Sequence, residues 1–204
     1  MRIAVVGATS RTGAHLLAEA ARRGHEITAS TRRPGALPAG VPVRRTVTGD
    51  GRDPRVAGEV IDGADAVIAI VNGGDRADPH RAEEVLRAVT TAMAAGGVRR
   101  LVVTSAYPIV GDRPRVAIWL LNRLFATSYA DVRAMEAQVR ATGLDWTVAR
   151  LNRLTDKPPA GRTVCTPDLL PRPRALTRAD AAALLLDLAE SRERSRAAVN
   201  CCGA

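Results

Sequence analysis

Residues 3–24 read IAVVGATSRTGAHLLAEAARRG and combine three structural signals in one short segment. Ile3–Val6 is a continuous apolar run that ends at Gly7, a pattern typical of a buried parallel strand. From Thr12 to Arg23, leucines and alanines recur at helical spacing, and Gly24 ends the helix. A strand, a glycine-containing turn and a helix in this order predict the start of a βαβ unit.

The same alternation continues along the other residues of this 204-residue chain. The next strands are predicted at Glu26–Ser30, Val41–Val47, Ala66–Val71 and Arg100–Thr104, and later helices at Val116–Ala126 and Tyr129–Ala141. No linker, repeat or low-complexity segment divides the sequence. We therefore predict one α/β domain over residues 1–204, a Rossmann-like, doubly wound and mainly parallel sheet flanked by helices. The part after about residue 150 is expected to contribute the substrate side.

The loop from Gly7 to Gly13 lies where a dinucleotide pyrophosphate would meet the first helix. A helix N-terminus offers free N–H groups and the positive end of the helix dipole. Gly7 would make the tight turn, and Gly13 would let the helix approach the strand. Thr9 and Thr12 would add hydroxyl donors. An ordinary glycine-containing turn is the alternative, but its place at the opening of a βαβ unit favours a dinucleotide.

Several short motifs occur in a fixed order along nearly the whole chain. They are GATSRTG (7–13), TRR (31–33), GD (49–50), VTSA (103–106), GLDWTV (143–148) and RAD (178–180). In these motifs the sequence resembles an atypical short-chain dehydrogenase/reductase with a single NAD(P)-binding domain. It is similar to the NAD(P)H-binding, NmrA-like group that includes biliverdin reductase B-type flavin reductases. The resemblance implies that the whole first motif binds the cofactor, Arg11 included.

Ser10 is the one departure from the group's G-A-T-G-x-T-G loop. If that position needs a positive φ or close contact with phosphate, a Cβ costs on the order of 1 kcal/mol. The serine hydroxyl would instead be able to donate a hydrogen bond to the phosphate. Both interpretations of Ser10 remain open at the level of sequence.

The end of the second predicted strand bears on the choice of cofactor. An NAD site would offer a carboxylate to the ribose there, whereas this chain has Arg32 and Arg33, whose guanidinium groups suit a 2′-phosphate. The resemblance aligns Arg32 with the group's phosphate-binding arginine and Asp50 with an acceptor for the adenine amino group. Solvated arginines and a simple turn at Asp50 are the alternatives. We predict NADP(H) rather than NAD(H).

Ligands of open parallel sheets lie beyond the carboxyl ends of the strands. This places Asn72, Gly73 and Thr104 on the cofactor side of the predicted site. The resemblance aligns Ser105 with a serine that hydrogen-bonds a substrate carbonyl, and Tyr107 would close over a nicotinamide or donate a proton. Ser105 satisfying a turn and Tyr107 packing against the next helix are the alternatives.

The ordinary short-chain dehydrogenase mechanism needs a tyrosine followed four residues later by a lysine that lowers the phenol pKa. Gly111 stands at that spacing from Tyr107, and Arg133 from Tyr129. Lys157 is the only lysine in the sequence. Arginine is a poor proton shuttle because its own pKa exceeds about 12. We therefore do not expect an ordinary alcohol dehydrogenase.

Two classes of function remain, and a third is weaker. The first is an NADPH-dependent reductase of a flavin, quinone or conjugated carbonyl acceptor, in which the protein mainly positions the reactants. The second is a non-catalytic NADP(H)-binding redox sensor or regulator of the NmrA-like type. An epimerase or dehydratase is the weaker third, because those enzymes keep the Tyr-Lys pair and a larger C-terminal domain.

Composition limits the other partners. The net charge of +9 comes from arginines scattered over the chain, and aromatic residues make up only 2%, so nucleic-acid binding is not expected. Three cysteines and three histidines show no metal-ligand spacing, and we predict no metal. No apolar run approaches the roughly 20 residues of a membrane span. We expect a cytoplasmic monomer or homodimer with a small-molecule substrate and no membrane association.

Overall fold

The computed structural model describes residues 1–33 and 35–204, in which strands and helices alternate. The strands are β1 (Arg2–Val6), β2 (Glu26–Thr31), β3 (Arg45–Thr48), β4 (Ala66–Ala69), β5 (Arg100–Ala106), β6 (Asp145–Leu151), β7 (Leu154–Thr155), β8 (Thr163–Thr166), β9 (Leu176–Thr177) and β10 (Ala197–Gly203). The helices are α1 (Arg11–Arg22), α2 (Pro54–Ile61), α3 (Arg81–Ala95), α4 (Arg115–Leu124), α5 (Ala126–Arg140) and α6 (Arg178–Glu190).

Eight strands form one sheet in the order β3-β2-β1-β4-β5-β6-β10-β8. Every pairing is parallel except that of β10 with β8, and β7 and β9 form a separate short pair. The prediction of a single doubly wound α/β domain is confirmed. The strand order reverses between β1 and β4, which opens a crevice at the carboxyl ends of these two strands.

Helices cover both faces of the sheet. Alternate residues of β1 enter different cores: Ile3 and Val5 pack with α1 and α6, whereas Ala4 and Val6 pack with α2, α3 and α5. A strand that is buried on both faces has no polar side, which is why the buried part of β1, Ile3–Val6, is apolar throughout. Because helices cover both faces of the sheet, a ligand can reach the sheet only at the ends of its strands.

Two predicted strands are shorter than expected. The third begins at Arg45 instead of Val41, because Pro42 lacks the N–H that a paired strand needs; Val41 and Val43 pack against the core as part of a loop. The fourth ends at Ala69 instead of Val71.

Among the described residues, no helix combines the length and apolar character needed to cross a membrane.

Candidate functional site

The turn after β1 is built so tightly that only glycine fits at two positions. Gly7 has φ +83°, and a Cβ there would lie 2.0 Å from the carbonyl oxygen of Ile70, which follows β4. A Cβ on Gly13 would lie 2.5 Å from the carbonyl oxygens of Gly7 and Ala8. The first glycine therefore allows the chain to turn beside β4, and the second allows α1 to approach the turn.

Ser10 caps the first helix. Its φ is −71°, so its side chain causes no backbone strain, and its Oγ accepts a hydrogen bond from the Gly13 N–H at 3.0 Å. The backbone strain considered for Ser10 is therefore absent. The Ser10 hydroxyl donates no hydrogen bond to the described residues. The N–H groups of Arg11 and Thr12 also have no hydrogen-bond partner within the described chain. These groups give the start of α1 the donors that an anion requires.

A first cavity of about 370 Å³ crosses the crevice between β1 and β4. Six residues singled out from the sequence line it: Gly7, Thr9, Ser10, Arg32, Asp50 and Asn72. Arg33 is not part of this lining. The hydroxyl of Thr31 accepts a hydrogen bond from the Arg33 N–H at 3.1 Å and donates to the Arg33 carbonyl at 2.9 Å. This local turn separates the two neighbouring arginines, and only Arg32 faces the cavity.

The floor of the first cavity contains charged residues that sequence analysis missed. Arg52 and Arg81 both contact Asp78, Arg81 through its Nε at 2.9 Å. The two guanidinium groups, Arg81 first, lower the pKa of Asp78. Asp50 accepts the Arg52 N–H at 3.0 Å through one carboxylate oxygen, so the turn considered for Asp50 is present at the cavity wall. The contact between Arg52 and Asp78 joins residues 26 positions apart in the sequence, and no local motif predicts it.

A second cavity of about 580 Å³ continues from the first and lies beyond the ends of β4, β5 and β6. The sequence-predicted residues in its lining are Ser10, Arg11, Thr12, Asn72, Gly73, Thr104 and Ser105. One wall is apolar and comes from α4 and α5, with Leu121, Phe125, Tyr129 and Val132. The opposite wall is the segment Leu151–Leu154 together with Arg178. The C-terminal part of the chain therefore contributes this wall.

Two positions near the end of β4 depend on close approaches. The Oγ1 of Thr104 accepts a hydrogen bond from the Val71 N–H at 3.2 Å, where β4 has already ended. A Cβ on Gly73 would lie 2.2 Å from the carbonyl oxygen of Ser128 in α5. Thr104 and Gly73 thus keep α5 and the β4 end together beside the second cavity.

Asp131 is a buried residue of α5 that no sequence pattern indicated. Its carboxylate accepts hydrogen bonds from the N–H groups of Gly74 and Ala82, each at 2.7 Å, and of Glu83 at 3.0 Å. The last two are free N–H groups at the start of α3, where the helix dipole favours a negative charge. Asp131 thereby positions the loop that carries Asn72 and Gly73.

Ser105 belongs to a buried charged network behind the second cavity. Its hydroxyl donates to Glu136 Oε1 at 2.6 Å, and Arg150 donates to both oxygens of Glu136, at 2.9 and 2.6 Å. Burial opposes ionisation of Glu136, but the hydrogen bonds from Arg150 and Ser105 outweigh it and lower the pKa of Glu136. Glu136 is therefore a carboxylate at neutral pH, and the Ser105 proton is directed at it.

Tyr107 lies elsewhere, which corrects the catalytic role predicted for it. Its side chain is fully buried and lines neither cavity. The hydroxyl accepts a hydrogen bond from the Leu170 N–H at 3.0 Å, and burial raises the pKa of this phenol. A Cβ on Gly111 would lie 2.8 Å from the Tyr107 ring and 3.3 Å from Ile118 of α4, so the packing alternative describes Tyr107.

The phenol beside the second cavity is Tyr129. Burial raises the pKa of Tyr129, while the charge of Arg133 acts in the opposite direction. Arg133 itself donates to Asn122 Oδ1 at 2.8 Å and to the Ile109 carbonyl at 3.2 Å. Tyr129 is therefore a protonated phenol in the cavity wall, and the residue four positions later is engaged with the α4 region.

Arginines surround the outer rim of the second cavity. Asp156 accepts from Arg11 at 2.9 Å and from Arg178 at 2.7 Å, which links the first loop to the C-terminal wall. Arg153 also lines the cavity, and no Asp or Glu is among the described lining residues. The rim is therefore positively charged.

In the described part of the chain, no cluster of three or more His, Cys, Asp or Glu has the arrangement to hold a metal ion.

Comparisons with known proteins identify a family model that matches this chain and solved structures with a similar fold. The family model described as NAD(P)H-binding matches residues 7–192. The fold is similar to that of a short-chain dehydrogenase/reductase from Veillonella parvula in complex with NADP (TM-score 0.85, 16% identity, 98% of this chain and 94% of that chain). It is also similar to the oxidoreductase ylbE from Lactococcus lactis (TM-score 0.85, 19% identity, 100% and 91%). A third similar structure is the anaerobillin reductase ChuY from Escherichia coli O157:H7 (TM-score 0.81, 20% identity, 100% and 97%).

Proposed function

This chain belongs to the NAD(P)H-binding family, and we propose that it is an NADPH-dependent reductase of a flavin, quinone or related conjugated carbonyl acceptor. The observation that carries the proposal is the pair of connected cavities that meet at the start of α1. One is polar and contains Arg32, and the other has an apolar wall. A dinucleotide that spans the crevice would extend its reactive ring into the second cavity, beside an acceptor.

The residues at the crevice fit the cofactor. Gly7 and Gly13 allow the turn after β1 to pack closely against Ile70 and the start of α1, and the N–H groups of Arg11 and Thr12 have no partner within the described chain. These donors suit a pyrophosphate at the helix N-terminus. Arg32 lines the far end of the first cavity, where its guanidinium would bind a ribose 2′-phosphate. This arrangement supports NADPH over NADH.

When bound, NADPH supplies the hydride. The protein's own task is to hold the acceptor against the cofactor and exclude water. Phe125, Tyr129 and Val132 provide an apolar surface for a conjugated ring. Arg11, Arg153 and Arg178 outnumber Asp156 at the rim, so the net positive charge there favours an acceptor that carries a negative charge. The apolar wall and the charged rim of the second cavity therefore support a conjugated, negatively charged acceptor.

Two hydroxyl groups have different tasks in this proposal. Ser105 directs its proton at Glu136 and offers its oxygen as a hydrogen-bond acceptor, which suits positioning. Tyr129 keeps its proton at neutral pH because burial raises its pKa, and it can donate a hydrogen bond to an acceptor carbonyl. The absence of a lysine four residues after Tyr129 argues against the proton relay of ordinary alcohol dehydrogenases. Solvent then supplies the proton that completes the reduction.

The test is NADPH oxidation with a panel of acceptors, followed by absorbance. The panel contains flavins, an uncharged quinone, its sulfonated analogue and simple secondary alcohols with NADP⁺. We expect modest turnover of the flavins and quinones, a preference for the sulfonated quinone, and no alcohol oxidation. NADPH binding without turnover of any acceptor would replace the reductase by the sensor alternative. Failure to bind NADPH in calorimetry would contradict both.

A further inference from the structure

Two cysteines face each other at the outer edge of the sheet. Cys165 in β8 and Cys201 in β10 are direct partners in the antiparallel register, and their Sγ atoms lie 3.0 Å apart. Cys202 is the next residue of β10, and its side chain projects from the opposite face of the sheet. There it packs with Tyr107 and Leu170. The sheet register therefore brings together two of the three thiols and separates the third.

The two facing thiols differ in exposure and acidity. Cys201 is completely buried, whereas Cys165 is half-buried on the edge strand β8. The hydrogen bond from Cys201 and the positive charge of Arg194 lower the pKa of Cys165. Hydrogen bonding to Cys165 and burial raise the pKa of Cys201. Cys165, the more accessible member of the pair, is thus the better nucleophile, since the thiolate is the reactive form.

We propose that Cys165 and Cys201 form an oxidisable dithiol that peroxide converts into an intramolecular disulfide. In the first step the Cys165 sulfur attacks one peroxide oxygen, an S–O bond forms, the O–O bond breaks and water leaves. In the second step Cys201 attacks the Cys165 sulfur, the S–S bond forms and the S–O bond breaks. Two thiols lose two electrons and two protons, and hydrogen peroxide becomes two molecules of water. A dithiol reductant reverses the reaction.

The bond would join β8 to β10, and Cys201 of β10 already contacts the wall of the second cavity. The carbonyl oxygen of Cys201 accepts a hydrogen bond from the Asn152 N–H at 2.9 Å, and Asn152 lines that cavity. The cross-link also closes a long loop that includes α6. A disulfide over a loop of this length is expected to raise the Tm by roughly 5–10 °C in the oxidised form.

The experiment counts thiols in the full-length protein before and after hydrogen peroxide. Denatured reduced protein has three titratable thiols. After peroxide we expect one thiol, an intact mass lower by two hydrogen atoms, and a proteolytic map that joins the peptides of Cys165 and Cys201. Cys165→Ser and Cys201→Ser should abolish the mass change, and Cys202→Ser, the matched control, should retain it.

Three outcomes would overturn this assignment: three thiols after peroxide, a bridge that includes Cys202 or a second chain, or sulfinic acid at Cys165 with Cys201 still free. The wild-type peptide map decides the question even if a serine variant fails to fold. The result does not depend on the reductase proposal, because no cofactor or acceptor takes part in the measurement.

Discussion

The hydroxyl of Ser105 donates its proton to Oε1 of Glu136 over 2.6 Å, behind the wall of the second cavity. Glu136 is buried and is paired with Arg150, so it remains a carboxylate and does not return a proton to Ser105. A serine whose proton is held in this way contributes orientation, and its oxygen remains available as an acceptor. The position of Ser105 at the end of β5 does not distinguish a proton donor from a residue that positions the acceptor. The hydrogen bond to Glu136 favours positioning.

Replacement of Ser105 by Ala should lower turnover roughly tenfold, about 1.4 kcal/mol, because one neutral hydrogen-bonding group is lost. Steady-state kinetics with NADPH and a quinone measure the effect. Complete loss of activity with normal NADPH binding would identify Ser105 as an acid and contradict the positioning role.

Replacement of Glu136 by Gln should destabilise the protein by about 3 kcal/mol at neutral pH, because Arg150 stays buried without its counter-charge. The pKa of Glu136 is lowered in the folded state. Its stabilisation is therefore fully present above the unfolded value of about 4.3 and is lost as the pH falls through the lower folded value. Urea denaturation from neutral to acid pH should show the difference between the wild type and Glu136→Gln shrinking in that window. A constant difference would refute the linkage.

Arg32 and Arg33 form a matched pair for testing the choice of cofactor. Arg32→Ala should reduce the preference for NADPH over NADH by roughly tenfold to a hundredfold, the scale of a charge-assisted hydrogen bond. Arg33→Ala removes the same charge from the neighbouring position, which does not line the cavity, and should change the preference little. Calorimetric titration of both cofactors compares the two variants. Equal effects would mean that only the general positive charge matters.

Ser10 permits a separation of helix capping from cofactor binding. Ser10→Ala should lower the free energy of unfolding by about 1 kcal/mol, because the Gly13 N–H loses its cap. Ser10→Asp keeps a capping oxygen and the stability, but its charge should repel the pyrophosphate and weaken NADPH binding. Urea denaturation and calorimetry measure the two effects. Unchanged binding in Ser10→Asp would show that the loop does not approach the phosphates.

The two tyrosines should respond differently to removal of the hydroxyl group. Tyr129→Phe should lower kcat/KM for a carbonyl acceptor several-fold and leave stability nearly unchanged, because Tyr129 lines the second cavity. Tyr107→Phe should instead lower the free energy of unfolding by about 1–2 kcal/mol, because the buried Leu170 N–H loses its acceptor. Kinetics and denaturation of both variants provide the comparison. Loss of activity in Tyr107→Phe and loss of stability in Tyr129→Phe would instead indicate that Tyr107 acts in the site.

Pro42 marks a boundary that the predicted strand Val41–Val47 missed, although a residue without an N–H is a poor member of a paired strand. Tyr107 and Tyr129 show the opposite case. Both have a phenol near the fifth strand or the helices after it, and nothing in their neighbouring residues says which one faces the cavity. Asp131 and Glu136 likewise find their partners on loops and strands that lie far from them along the chain.

Residues 3–24 alone determined the strand, the glycine turn and the helix, and the apolar runs that follow determined the doubly wound fold. These features depend on interactions within a few residues: Gly7 adopts a positive φ, and Ser10 caps a helix three residues away. Only the tertiary structure decided that Tyr107 is buried, that Ser105 is bound to Glu136, and that Cys165 faces Cys201. Strand order and register bring such partners together, and both result from packing of the whole sheet rather than from any local pattern.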